Sequence, residues 1–340
     1  MAGRLKSYDL IRAVSALCIV FFHFSYALIS NGLSEGVPVF FQYANGDFGA
    51  VFVAVFFMLS GAVLHLGWKD KLKGFNGEGG IISFYKKRVL SIFPAFYTAW
   101  AAMYALKVLM TKKLFWGGHP LKILLSIVGM DGYISFFGED YYSVGEWFLG
   151  ALILLYLLFP FMEILLRKSV FALMLPSAVL FLVSVSFIAS EASFLLCVFY
   201  FSCGMVFEKY KKIFTGKICT ALSFALLPSV MFMYLPIGAR MASTLLAFSL
   251  FVCLYGTGEI FCGNSHIRDF LSRYSYEIFL VHHVTVDLVC AKAAGKGSGS
   301  LFAFILLCVS AAFTAMSAVV LNKLSKGLVY CIRRYILISL

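Results

Sequence analysis

The sequence predicts an all-α integral membrane protein, a polytopic bundle of about ten transmembrane helices with both termini in the cytoplasm. Three observations carry that prediction. The chain of 340 residues is 62% apolar and only 13% charged, with a mean hydropathy of +0.93. An ordinary soluble domain carries about 25% charge and roughly 45–50% apolar residues, so at 37.8 kDa this chain has more apolar surface than it can bury, and lipid must cover the rest. Ten stretches approach the roughly 20 apolar residues that cross a bilayer. The positive charges fall on one side of those stretches.

Taken in order, the stretches are 9–30, 48–68, 89–110, 146–166, 169–187, 193–207, 213–235, 241–256, 274–291 and 301–321. Helix is the fitting type for each, because lipid offers a backbone N–H no partner. None shows the period-2 alternation of a membrane barrel. The first is too long for a signal-peptide core, carries Arg12 and His23, and has no small-residue cleavage site after it, so it is expected to be retained. The sixth and eighth are short. Residues 1–340 are read as one transmembrane domain with no fused soluble domain.

With the N-terminus in the cytoplasm, the inner segments hold 20 of the 28 Lys and Arg, and the outer segments hold 6. That bias is what the positive-inside rule expects. The net charge of +12 therefore reads as topology and affinity for anionic membrane lipids, and nucleic acid is excluded as a partner. The cysteines sit in spans or inner segments, which argues against a disulfide framework. No CxxC and no Cys/His pair has zinc spacing, so no metal is expected. Two segments break the pattern. One is the long outer stretch 111–145, whose middle, LKILLSIVGM, is too short to span; the other is the Gly-rich, basic inner segment 69–88.

Ionisable groups inside spans cost about 2.5–3.5 kcal/mol on insertion scales, which makes them candidates for function. Arg12 and His23 are eleven residues apart. Eleven steps of 100° bring both to one helical face, roughly 16 Å apart along the axis. Either they grip an anion at the inner mouth and deliver something reactive to His23, or Arg12 snorkels to lipid phosphate and His23 bonds a neighbouring helix. His283 and Asp287 share a face of the ninth span, with His282 about 100° away. A proton relay, a second catalytic group and a structural hydrogen bond all fit these histidines. Glu146 and Trp147 open the fourth span; they suit either sugar hydroxyls and a stacked sugar face or an aromatic-belt anchor with a carboxylate at a helix N-terminus. Lys107 and His65, near span ends, read as snorkelling groups.

These residues carry a resemblance. YDLIRAVSALCIVFFHF, with Arg12 and His23, resembles the opening of the membrane acyltransferase 3 family, which has an Arg, ten residues, then a His. DFGAVFVAVFFMLSG is similar to the family's second helix, through Phe56, Phe57, Ser60 and Gly61. FYKKRVLSIFPAFYTAW resembles the basic start of its third helix, with Arg88 and Pro94. WFLGALILLYLLFPF matches a later helix through Trp147, Tyr156 and Pro160, and SYEIFLVHHV puts His282 on the family's C-terminal His, leaving His283 off it. The chain departs from many members at Leu152 (Glu), Ser91 (Arg) and Phe52 (Gly).

The resemblance implies an enzyme, an O-acyltransferase that moves an acyl group, foremost acetyl, from cytoplasmic acyl-CoA to a hydroxyl of a cell-surface or lipid-linked glycan. Acyl-CoA is then a donor substrate and no cofactor is bound permanently. The expected location is a bacterial cytoplasmic (inner) membrane. His23 and Arg12 are the expected catalytic pair, with His23 acting either as general base or as acyl-carrying nucleophile. Lys86, Lys87 and Arg88 are expected at the donor's phosphates. Glu146, Trp147, Tyr142 and His282 are expected around the acceptor, with Tyr141 beside Tyr142. The alternative is a transporter or exporter of a lipid-linked sugar or small anion without acyl chemistry. Against it, the chain shows none of the internal repeats common in such folds.

Overall fold

The computed structural model describes residues 6–34, 42–72, 79–116, 118–134, 141, 144–188, 190, 192–260, 263 and 265–335. The helices are α1 (Lys6–Ser30), α2 (Phe48–Trp68), α3 (Ile81–Thr111), α4 (Ile123–Ile127), α5 (Asp131–Ile134), α6 (Glu146–Lys168), α7 (Val170–Phe187), α8 (Phe194–Lys209), α9 (Lys211–Phe214), α10 (Lys217–Phe232), α11 (Ala239–Ile260), α12 (His266–Ala293) and α13 (Ser300–Tyr335). A two-stranded antiparallel hairpin, β1 (Gln42–Tyr43) and β2 (Gly46–Asp47), lies between α1 and α2.

Each of the ten apolar stretches falls on one of the longer helices. Seven of these, α1, α2, α3, α6, α7, α11 and α13, are long and apolar enough to cross a membrane. The other three differ for visible reasons. Helices α8 and α10 have 16 residues each, and α12, at 28 residues, is the least apolar of the long helices. The bundle turns large apolar side chains outward, among them Phe171, Phe187, Ile218 and Leu301. The chain is an integral membrane protein.

Cross-links between helix ends fix an alternating arrangement. At one end, Ser7 of α1 donates to Glu259 of α11 at 2.7 Å, Tyr8 donates to the buried Glu208 of α8, and Lys209 reaches Leu166 O at 2.6 Å. Asn322 of α13 meets Glu277 of α12 at the same end. At the opposite end, Arg240 of α11 donates to Ser184 O at 2.9 Å, and Asn45 donates to Val230 O at 2.7 Å. The first end carries Lys86, Lys87, Arg88, Arg167 and Lys211, and is called the basic end below.

Helix α2 is the most enclosed of the apolar spans, and it packs most extensively on α8. Small residues let the two backbones touch. A Cβ added to Gly61 would stand 2.1 Å from Phe201 O, and one added to Gly204 would stand 1.8 Å from Met58 O. This is the small-residue packing of membrane helices. It accounts for the glycine of the FFMLSG run, while Ser60 beside it faces a cavity. Helix α2 starts sharply because Asp47 caps it, accepting from Ala50 N at 3.0 Å.

Of the two polar residues read as snorkelling groups, His65 behaves otherwise. His65 is buried, with Nδ1 2.8 Å from Glu163 Oε2. Glu163 is fully buried and also accepts from Arg167 Nε at 3.1 Å, so the histidine joins an ion network instead of reaching water. Lys107 holds its ammonium 4.1 Å from the Trp116 ring. Trp116 in turn packs edge-on to Tyr141. Tyr141 is wholly buried and donates to Gly118 O at 3.1 Å, so it anchors the 111–145 stretch and does not form the acceptor surface expected of it.

Candidate functional site

The helical repeat places Arg12 and His23 on one face of α1, and both line a single cavity of about 270 Å³. Arg12 lies toward the basic end and is held there by a second helix. Ser272 of α12 donates to Asp9 Oδ1 at 2.6 Å, and Arg12 reaches Asp9 Oδ1 and Ser272 Oγ at 3.4 Å each. Asp9 and Ser272 are buried, so the guanidinium is steered by an acid three residues back. Sequence reasoning passed over Asp9, which the i,i+3 spacing could have flagged.

Arg88 lines the same cavity from α3. Its guanidinium carbon is 5.8 Å from the Tyr156 ring and 6.0 Å from the Phe84 ring, and Nε is buried. Tyr156 and Ser60 line the same cavity. Lys86 and Lys87 are exposed and do not line the cavity; Lys87 sits 5.1 Å over the Trp68 ring. Steps of 100° along a helix allow only one of three consecutive residues to face inward, and here that residue is Arg88. Leu152 and Ser91, where the resemblance leads one to expect a Glu and an Arg, both line this cavity.

A second cavity of about 160 Å³ adjoins the first toward the opposite end, lined among others by Asp47, Cys197 and Tyr200. His23 and Trp147 line both cavities, together with Ile19 and Val53. His23 therefore stands where the two spaces meet. Trp147 is at this junction. The side chain of Glu146 and all of Tyr142 lie outside the described residues.

Two histidines of α12 close around His23. The His23 ring centroid is 5.0 Å from that of His282 and 3.9 Å from that of His283, and the latter two are 4.9 Å apart. His282 is fully buried, with Nδ1 2.8 Å from Phe279 O and 3.2 Å from Ile278 O. Carbonyl oxygens only accept, so Nδ1 carries the proton and Nε2 keeps the lone pair. His283 is partly exposed, with Nδ1 4.0 Å from Asp287 Oδ2. The resemblance left His283 aside, yet its ring is the nearer of the two. Tyr276, another residue without a prior role, lines the larger cavity and ties α12 to α3 by donating to Ile92 O at 3.2 Å.

The arrangement offers cations at one end of two adjoining cavities and the His23 imidazole where they meet, with His282 and His283 packed against it. A family model described as an acyltransferase domain, Acyl_transf_3, matches residues 5–322, nearly the whole chain. No curated protein and no solved structure matches the chain at a significant level.

Proposed function

The chain belongs to the membrane acyltransferase 3 family, and from that premise we propose that it transfers an acyl group, foremost acetyl, from cytoplasmic acyl-CoA to a hydroxyl of a cell-surface or lipid-linked glycan. The observation that carries this reading is the position of His23 at the junction of two cavities, one of which holds Arg12 and Arg88. The basic end faces the cytoplasm in this reading, supported by the 20 to 6 distribution of Lys and Arg.

The donor is a thioester on a polyanionic carrier. Its phosphates meet Lys86 and Lys87 at the mouth and Arg88 and Arg12 inside it. Its arm runs along the larger cavity and brings the thioester carbonyl to His23. The acceptor hydroxyl enters from the smaller cavity, beside Trp147, whose indole suits a sugar face. In the direct route His23 takes the hydroxyl proton as the new C–O bond forms, the C–S bond breaks, and the proton passes to the departing thiolate. In the covalent route the neutral imidazole first attacks the thioester, releases the thiol, and then yields its acyl group to the acceptor. Holding both reactants at one imidazole replaces an encounter in solution with a positioned reaction.

The test uses the purified full chain in lipid nanodiscs with acetyl-CoA inside the assay and candidate glycans added. Thiol release that depends on a glycan, with acetate recovered as an ester on it, supports the reading. Movement of a lipid-linked sugar across vesicles with no thiol release would favour the transporter instead.

A further inference from the structure

We infer that His23, His282 and His283 form a binding site for one divalent transition-metal ion, with zinc the best fit, and that an ion held there blocks the transfer reaction. One ligand nitrogen from each of the three rings lies within 4.8 Å of those of the others. Zinc bound at about 2.0–2.1 Å from each imidazole nitrogen sets tetrahedral ligands roughly 3.4 Å apart. Small rotations of three side chains therefore close the site without moving a helix.

The surroundings orient the ligands as a metal requires. The Nδ1–H of His282 is committed to Phe279 O, which leaves Nε2 as the ligand atom. A carbonyl partner on the far nitrogen is the usual outer support of a metal-bound histidine, and His283 has the Asp287 carboxylate 4.0 Å from its Nδ1, beyond direct hydrogen bonding. The Nε2 atoms of His282 and His283 are both buried. Three neutral imidazoles with no carboxylate among them select zinc, copper or nickel over magnesium or calcium. A set of three histidines also leaves a fourth position open, here toward the cavities that His23 lines.

Local spacing rules could not find this cluster. Its ligands come from α1 and α12, and two adjacent histidines on one helix ordinarily diverge by 100°. Here the three ring centroids form a compact triangle with sides of 3.9, 4.9 and 5.0 Å. Metal binding replaces water ligands on the ion with imidazole nitrogens, and no redox step is involved. A His23 lone pair held by zinc cannot take a proton or attack a thioester. The blocking half of the inference rests on the reading of His23 as the reacting group; the binding half stands on the cluster alone.

The experiment titrates cobalt(II) into the chelator-stripped full chain in detergent and follows the visible absorption of a tetrahedral cobalt centre. One cobalt per chain, displaced by zinc, is expected. His283→Gln, in a protein whose thermal melt matches the parent, should weaken cobalt binding at least about 10-fold and raise the zinc concentration that halves thiol release by a similar factor. Should the parent hold no more cobalt than a His282→Gln/His283→Gln double variant, the site is refuted. Cobalt bound at one per chain while zinc leaves thiol release untouched keeps the site but overturns the blocking role, and with it the reactive part given to His23.

Discussion

The imidazole of His23 on α1 packs against that of His283 on α12 with 3.9 Å between ring centroids, closer than the 5.0 Å that separates it from His282. The two α12 histidines differ in how firmly they are held. His282 is fully buried and locked in one tautomer by Phe279 O, whereas His283 is 36% exposed and faces Asp287 across 4.0 Å. Water can take up part of what His283 supplies, but not what His282 supplies. His282→Ala should therefore lower transfer by roughly 10²-fold, and His283→Ala by less, in folded protein at equal expression. The opposite order would make His283 and Asp287 the working pair.

Arg88 and its two basic neighbours should separate kinetically. Arg88 lines the cavity with Nε buried, while Lys86 and Lys87 are exposed. A phosphate contact is uniform binding, equal in ground and transition states. Arg88→Ala should raise KM for acyl-CoA on the order of 10-fold or more, the worth of a charged hydrogen bond, with kcat nearly kept. Lys86→Ala and Lys87→Ala should each change KM only about 2–5-fold, as exposed charges do. An unchanged KM in the Arg88 variant would move the donor site elsewhere.

The helices were legible because lipid demands long apolar runs, and each such run folded as one. The alignment of Arg12 with His23 was legible because it depends only on the repeat of a single helix. What periodicity could not give was the rotation of one helix against another. That rotation brings His283 to His23, sets Tyr276 and Tyr156 into the cavity, and points Lys86 and Lys87 away from it. His65 was misread for a related reason: its partner Glu163 lies 98 residues along the chain. The resemblance supplied Gly61 as a motif residue, but its purpose, contact with Phe201 O, appears only once α8 is in place.

The contact between α2 and α8 should be intolerant of a single methyl group. A Cβ on Gly204 meets the backbone oxygen of Met58 at 1.8 Å, which no side-chain rotation relieves. Gly204→Ala should destabilise the fold by about 1–3 kcal/mol, as overpacking does, read as a lower melting temperature in detergent. Gly67→Ala is the control, since nothing lies within 4 Å of its added Cβ. Equal melting of the two variants would mean that the helices separate freely.

The sidedness of the bundle can be read with a reporter. If the basic end faces the cytoplasm, a fluorescent protein fused after Leu340 should fold and shine, and an exported phosphatase at the same place should stay inactive. A phosphatase active there would invert the topology and place Arg12 and Arg88 on the outer side.

The sharpest expectation concerns His23 itself. It is the imidazole that lines both cavities, and no other side chain of α1 at that level titrates near neutral pH. His23→Ala should cost about 10²–10⁴-fold in transfer if only a general base is lost, and more if a nucleophile is lost. Arg12→Lys should be partly tolerated, since it keeps the charge and loses the planar guanidinium, whose Nη1 reaches both Asp9 and Ser272. Asp9→Asn should mimic it, because the guanidinium then loses the acid that steers it. The deciding measurement is transfer by His23→Ala protein that melts like the parent and still binds acyl-CoA. Donor binding kept with transfer gone places the chemistry at the imidazole. Near-normal transfer would leave His23 as a packing residue between α1 and α12, and the reaction would need another reacting group.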